Sequence, residues 1–157
     1  MITKAILLAM IAIESAGNPK ALSTSDAKGL LQLTSIAEKE VCQQYGCPKD
    51  YDIWNPETNI LMGYQLASYY LSEANGDMIG MIVLYNSGYV GHKKYLRGET
   101  LAEETRNYII KFKQMRSFYA NCFDRQPSAV FEHSKTIDNV LRRVGAEDGT
   151  TLLDIWL

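Results

Sequence analysis

The apolar run AILLAMIAI at residues 5–13 ends on a carboxylate, Glu14, and a polar stretch with one glycine and one proline follows at once. That stretch returns to apolar ground at Gly29-Leu30-Leu31-Gln32-Leu33. Few arrangements satisfy both halves of this pattern. Ile6, Met10 and Ile13 form one helical row, and Leu7, Ile11 and Glu14 form the row beside it, so Glu14 continues an apolar stripe rather than a solvent face. The spacing predicts a helix over residues 3–15, stopped by Gly17-Asn18-Pro19. Burying five such aliphatics contributes about 1.5–3 kcal/mol each, gross. Each pKa unit of upward shift costs about 1.4 kcal/mol, so the stripe can hold one carboxyl as a neutral acid.

The same run imitates a secretory leader, with Lys4 before an apolar core. Cleavage after Ser15 or Ala16 would discard Glu14 and strand the loop behind it. The run is also too short to span a bilayer. The expectation is therefore a helix of the mature domain, with no export signal in the chain.

The remaining segments are mostly helical in period. Ser35 with Glu38 reads as a capping box for a helix to about Gln43. Asn55-Pro56 starts a longer one to about Ala74. Asn75-Gly76 breaks it, and Asp77 caps MIGMIVLY, which ends at Asn86-Ser87-Gly88. Residues 89–98 read as a connection with at most one helical turn. Thr100 with Glu103 is a second capping box, opening a helix to about Asn121. Pro127 starts another to Val144, and TTLLDIWL closes the chain as a short helix. No hairpin pair of strands is convincing, beyond a small β-ribbon near residues 20–28. The expected fold is mainly α, one helical domain over residues 1–157 with one core; 157 residues are enough for that.

A net charge of -2 gives no global basic field and argues against a nucleic-acid partner. The second half is mildly basic, with eleven Lys/Arg against nine Asp/Glu in residues 81–157, which reads as solvated surface. His92 and His133 lack partners at metal-ligand spacing, so neither a metal nor a cofactor is expected. The cysteines, Cys42, Cys47 and Cys122, are odd in number. Cys42 and Cys47 are read as reduced thiols, with a small bridged loop around Tyr45-Gly46 as the alternative.

Cleaving a glycoside needs a proton for the leaving oxygen, and a carboxylic acid kept neutral by apolar surroundings supplies it. Glu14 fits that role by position. Around it stand ES-x-x-NP (Glu14, Ser15, Asn18, Pro19), Ser23, and AKGLLQL at 27–33. NPETNILMGYQLASYYL follows at 55–71, LYNSG at 84–88 and ETRNYI at 104–109. In this order, over about residues 5–112, they resemble the soluble lytic transglycosylases, a lysozyme-like α+β superfamily that cleaves peptidoglycan. The resemblance implies that Glu14 is the single catalytic acid/base. It implies that Ser23 and Gln32 line the saccharide cleft, that Tyr85 lies beside the carboxyl with Asn86 next to it, and that Glu104 and Tyr108 support the same wall.

The chain departs from the family pattern at several points. Leu31 stands where Met is usual, Thr34-Ser35 replaces Met-Pro, and Tyr89-Val-Gly-His-Lys-Lys replaces the Pro-Gly-Arg-Val run after Gly88. Substrate contacts on that last side are left open. Residues from about Asn121 onward have no family counterpart and read as a helical extension, a candidate for docking a partner. The implied reaction cuts the β-1,4 bond between N-acetylmuramic acid and N-acetylglucosamine and closes a 1,6-anhydro ring. A hydrolase would need a second carboxylate. Asp26 is the loop's candidate, although Ser-Asp-Ala-Lys-Gly reads first as a turn. A non-catalytic wall-binding or virion-assembly module is the reading from another class. The expected place of action is the bacterial cell wall, in the periplasm or carried by a phage particle.

Overall fold

The computed structural model describes residues 1–47, 49–121 and 128–146. Thr3 caps α1 (Lys4–Ser15), its hydroxyl accepting from the Ile6 N–H at 3.4 Å. Ala16, left-handed at φ 52°, closes the helix and returns its N–H to the Ala12 carbonyl. Every residue from Ala5 to Ile11 is buried. The sequence predicts a stripe, but α1 is wrapped on all sides and forms the axis of the core. The leader-like run is thus built into the folded domain.

Five further α-helices follow among the described residues: α2 (Ser35–Tyr45), α3 (Pro56–Glu73), α4 (Met78–Leu96), α5 (Glu103–Asn121) and α6 (Ser134–Arg143). A 3₁₀ turn, Phe131–His133, precedes α6. α5 and α6 pack on α1, while α3 packs on α2, α4 and α6. One contiguous core joins Ile6, Leu30, Ile60, Met81, Phe112 and Ile137. The mainly helical single domain expected from the sequence is what forms. The predicted ribbon reduces to two isolated antiparallel bridges, Leu22 with Lys28 and Lys28 with Leu33.

Several helix boundaries differ from expectation. Thr34, not Ser35, caps α2, accepting from the Ala37 N–H at 3.2 Å. Glu38 does not reach back as a capping box requires. It is buried, where it accepts the Tyr51 hydroxyl at 3.0 Å and faces the Lys28 ammonium at 3.5 Å. Asn55 does cap α3, with its Oδ1 accepting from the Glu57 and Thr58 N–H groups. α4 breaks at Gly88 as the sequence suggests, but the chain then resumes its helix to Leu96. Tyr95 holds that second half back against the start of α4, donating to Asp77 Oδ2 at 2.8 Å. α5 begins at Glu103, two residues later than a cap at Thr100 would place it. Pro127, Cys122 and the terminal TTLLDIWL lie outside the described residues, so the first described helical residue of the C-terminal segment is Phe131.

Cys42 and Cys47 form a disulfide, with Cα atoms 4.9 Å apart, where reduced thiols were expected. α2 ends at Tyr45, and Gly46 at φ 77° turns the chain back so that Cys47 meets the last turn of the helix.

Candidate active site

Glu14 sits in the last turn of α1, and its carboxyl points toward α5. Tyr108 of α5 donates its hydroxyl to Glu14 Oε1 at 2.6 Å. Protein packs closely about the carboxyl, although one edge of the residue stays open to solvent. Burial pushes its pKa up from 4.5 to about 7, the Tyr108 hydrogen bond pulls back, and the charge of Glu104 adds to the rise. A carboxyl in that state donates or accepts a proton near neutrality with little driving force wasted.

The loop after α1 folds over this end of the helix by its own hydrogen bonds. Ser23 Oγ accepts from the Ser25 and Ala27 N–H groups. Lys28 and Leu33 exchange both backbone bonds at 3.0 Å. Gln32, left-handed at φ 50°, donates its side-chain nitrogen to the Ala21 and Gly29 carbonyls. Ser23 and Gln32 are therefore braces of the loop. Asp26 is exposed, at φ 58°, in the turn that Ser23 closes.

α3 presses this loop into place. Asn59, 1% exposed, accepts from the Leu31 N–H at 2.8 Å and donates to the Lys28 and Ile53 carbonyls. Gly29 lies against the Asn59 carboxamide and Gly63 against the Leu31 side chain, each too close for a Cβ. The Leu31 carbonyl then accepts the Tyr85 hydroxyl at 2.7 Å. Burial raises the Tyr85 and Tyr108 phenols well above their ordinary value, and the Glu14 charge adds to both. Both rings thus stay neutral donors beside one carboxyl.

Of the residues singled out in the sequence, Glu14, Tyr85, Tyr108 and Glu104 come together. Glu104 is exposed at the start of α5 and acts on Glu14 by charge. Asn86 follows Tyr85, half-buried, in the last turn before Gly88. Sequence reading missed Asn59 and the Leu31 carbonyl. The signal for Asn59 was an amide inside an otherwise apolar helical row with Met62 and Leu66. His133 brings its Nε2 within 2.9 Å of the Gly17 carbonyl, just beyond α1, and His92 stacks on Tyr95. Among the described residues no group of three His, Cys, Asp or Glu could hold a metal ion. None of the described helices is long and apolar enough to cross a membrane.

The family model described as the transglycosylase SLT domain matches residues 1–109. Endo-type membrane-bound lytic murein transglycosylase A from Salmonella paratyphi B and from Salmonella typhimurium is 41% identical over 80 residues. The match covers 48% of this chain and 38% of each relative, so well under half of those proteins is represented. A solved complex of the 70-kDa soluble lytic transglycosylase with bulgecin A superposes with a TM-score of 0.70. It shares 23% identity over 80% of this chain and 23% of its own. An inactive mutant of lytic transglycosylase Slt from Pseudomonas aeruginosa superposes with a TM-score of 0.57, at 22% identity over 92% of this chain and 22% of its own. These two likenesses establish the lysozyme-like fold.

Proposed function

The chain belongs to the transglycosylase SLT-domain family, and from that footing we propose that it is a peptidoglycan lytic transglycosylase in which Glu14 is both acid and base. The observation that carries the reading is the Glu14 carboxyl at the end of α1, closely packed, raised to about 7 and hydrogen-bonded by Tyr108. Its substrate is the β-1,4 bond between N-acetylmuramic acid and N-acetylglucosamine in glycan strands. Protonated Glu14 gives its proton to the bridging oxygen as the C1–O bond breaks, and N-acetylglucosamine leaves with a free 4-hydroxyl. The N-acetyl carbonyl oxygen of the muramic acid bonds to C1 and carries the positive charge. Glu14, now a carboxylate, takes the proton of the C6 hydroxyl. O6 displaces the acetyl oxygen at C1, closes the 1,6-anhydro ring, and leaves Glu14 protonated for the next cycle. Water takes no part.

Tyr108 orients the carboxyl in this scheme, and Tyr85, tied to the Leu31 carbonyl, fixes the facing wall. Ser23 and Gln32 keep the loop in shape, and Asn86 and Glu104 border the same space. Asp26 is exposed in its turn and is not among the groups that raise Glu14, so the loop supplies no partner carboxylate there; Glu104 acts on Glu14 by charge from the exposed start of α5. The site of action is the cell wall, periplasmic or reached from a virion. The Cys42–Cys47 disulfide supports work outside a reducing cytosol.

Mass spectrometry of digested sacculi tests the proposal. Anhydro-ended muropeptides are expected from the wild type and none from Glu14→Gln. Reducing-end products, heavier by one water, would make the enzyme a hydrolase. Equal lysis by both proteins would remove Glu14 from the chemistry.

A further inference from the structure

Gly88 interrupts α4, and the residue that follows it, Tyr89, is held in an unusual way. Gly88 adopts φ 69° and ψ −167°, a backbone conformation essentially confined to glycine. Open space surrounds it, with nothing within 4 Å of an added Cβ, so the constraint there is conformational rather than steric. The turn re-aims the chain so that the Tyr89 hydroxyl donates to Glu40 Oε1 on α2 at 2.9 Å. The other oxygen of the same carboxylate accepts the Tyr70 hydroxyl at 2.6 Å. Glu40 therefore clasps two phenols, one from α3 and one from the second half of α4.

The rings form a line leading out of the catalytic site. Tyr85 meets Tyr70 edge to face at 6.4 Å between centroids, and Tyr70 meets Tyr89 edge to face at 6.1 Å. Tyr85 and Tyr70 are packed into the protein, whereas Tyr89 is 43% exposed. Ile36, one helical turn before Glu40 on α2, is 79% exposed, and Val90 is 73% exposed. Each oxygen of Glu40 accepts one phenol, so the Tyr89 hydroxyl donates its proton within the protein. What this rim offers to solvent is a partly exposed aromatic ring held in place by its hydroxyl, two ring contacts from the tyrosine beside Glu14.

A pyranose ring presents an apolar face of C–H bonds that lies flat on an aromatic ring. Resting on the glycan-cleaving reading above, we propose that Tyr89 is a saccharide-stacking residue, clasped by Glu40, that grips the strand beyond the sugars flanking the cleaved bond. Glu40 is then a positioning residue acting through Tyr89. A fixed aromatic ring loses little conformational entropy on binding, which is why its grip counts toward affinity.

The test uses glycan strands stripped of their stem peptides, titrated calorimetrically into Glu14→Gln protein. Adding Tyr89→Ala should weaken binding roughly tenfold, the size of one aromatic contact. Tyr89→Phe and Glu40→Gln, which keep the ring but loosen the clasp, should fall between. In the otherwise wild-type enzyme, Tyr89→Ala should raise KM for long strands by a similar factor, with kcat changing far less. Unchanged affinity in Tyr89→Ala, when the parent binds, overturns the inference while leaving the catalytic reading standing. A loss confined to strands that still carry peptides also overturns it, since the ring would then read the peptide. If the parent binds no strands and the wild type releases no anhydro ends, the catalytic reading falls and this one with it.

Discussion

Glu14 is a residue whose surroundings determine its protonation. Three influences meet on it: burial raises its pKa, the Tyr108 hydroxyl lowers it, and Glu104 raises it, with a net result of about 7. Two consequences follow. In the proposed mechanism the carboxyl starts the reaction protonated, so kcat/KM should fall as pH rises through 7. Tyr108→Phe removes the lowering contact and should shift that alkaline limb upward, which a pH–rate profile reads directly. A limb that stays flat well past pH 7 would mean another group supplies the proton. The second consequence concerns stability. Between 4.5 and about 7 the folded protein holds a proton that the unfolded chain has released. The stabilisation tied to Glu14 is thus fully present below 4.5 and is lost as pH rises through 7. Relative to Glu14→Gln, the wild type should lose up to about 3 kcal/mol across that window, seen as diverging melting temperatures. The apolar stripe and the resemblance at ES-x-x-NP made Glu14 legible in the sequence. The roles of Gln32 and Ser23 were less so, because a polar side chain in a loop reads alike whether it faces a ligand or its own backbone.

Among the elements, the contact between α3 and the loop at residues 28–31 matters most to the site. Asn59 and Gly63 lie on α3 one helical turn apart, and both face this loop. Gly63 is a glycine because Leu31 occupies the space a Cβ would need. Gly63→Ala should push Leu31 away, costing about 1–3 kcal/mol by overpacking. It should also lower kcat, because the Leu31 carbonyl that anchors the Tyr85 hydroxyl moves with it. Truncating the obstacle offers the check. In a Leu31→Ala background the stability penalty of Gly63→Ala should shrink markedly in thermal melts. Strictly additive penalties would show that the two residues do not meet as described. Helix starts marked by local chemistry, such as Asn55-Pro56 and Asp77, were readable from the sequence. Boundaries set by distant partners were not. Glu38 looks like a capping glutamate until Tyr51 and Lys28 claim it, and residues 89–96 look like a connection until Tyr95 reaches Asp77.

For the molecule as a whole, the open question is what the residues after Asn121 contribute to the end of α1 that carries Glu14. The sequence offered no counterpart for them, since their contacts span more than a hundred positions and leave no local pattern. The described part, residues 128–146, packs directly behind the site. Gly17, at φ 83°, lies so close to the Ala129 backbone that no side chain fits. Its carbonyl is 2.9 Å from His133 Nε2 and can only accept, so that nitrogen carries the proton. Lys4, at the other end of α1, pairs with Asp138 of α6 at 2.8 Å. The C-terminal segment therefore holds both ends of the helix that carries Glu14. His133→Ala leaves a buried carbonyl without its donor and should cost about 1–3 kcal/mol. Because Gly17 is three residues from Glu14, kcat should fall with it. Gly17→Ala, strained at that φ and blocked by Ala129, should be the more damaging change in both melting temperature and turnover. Lys4→Ala breaks the ion pair at the far end of the helix and should lower stability while leaving kcat near that of the wild type. If His133→Ala instead melts and cleaves like the wild type, the segment is an appendage to the catalytic unit. A selective loss of turnover would make it part of that unit, its histidine setting where α1 ends.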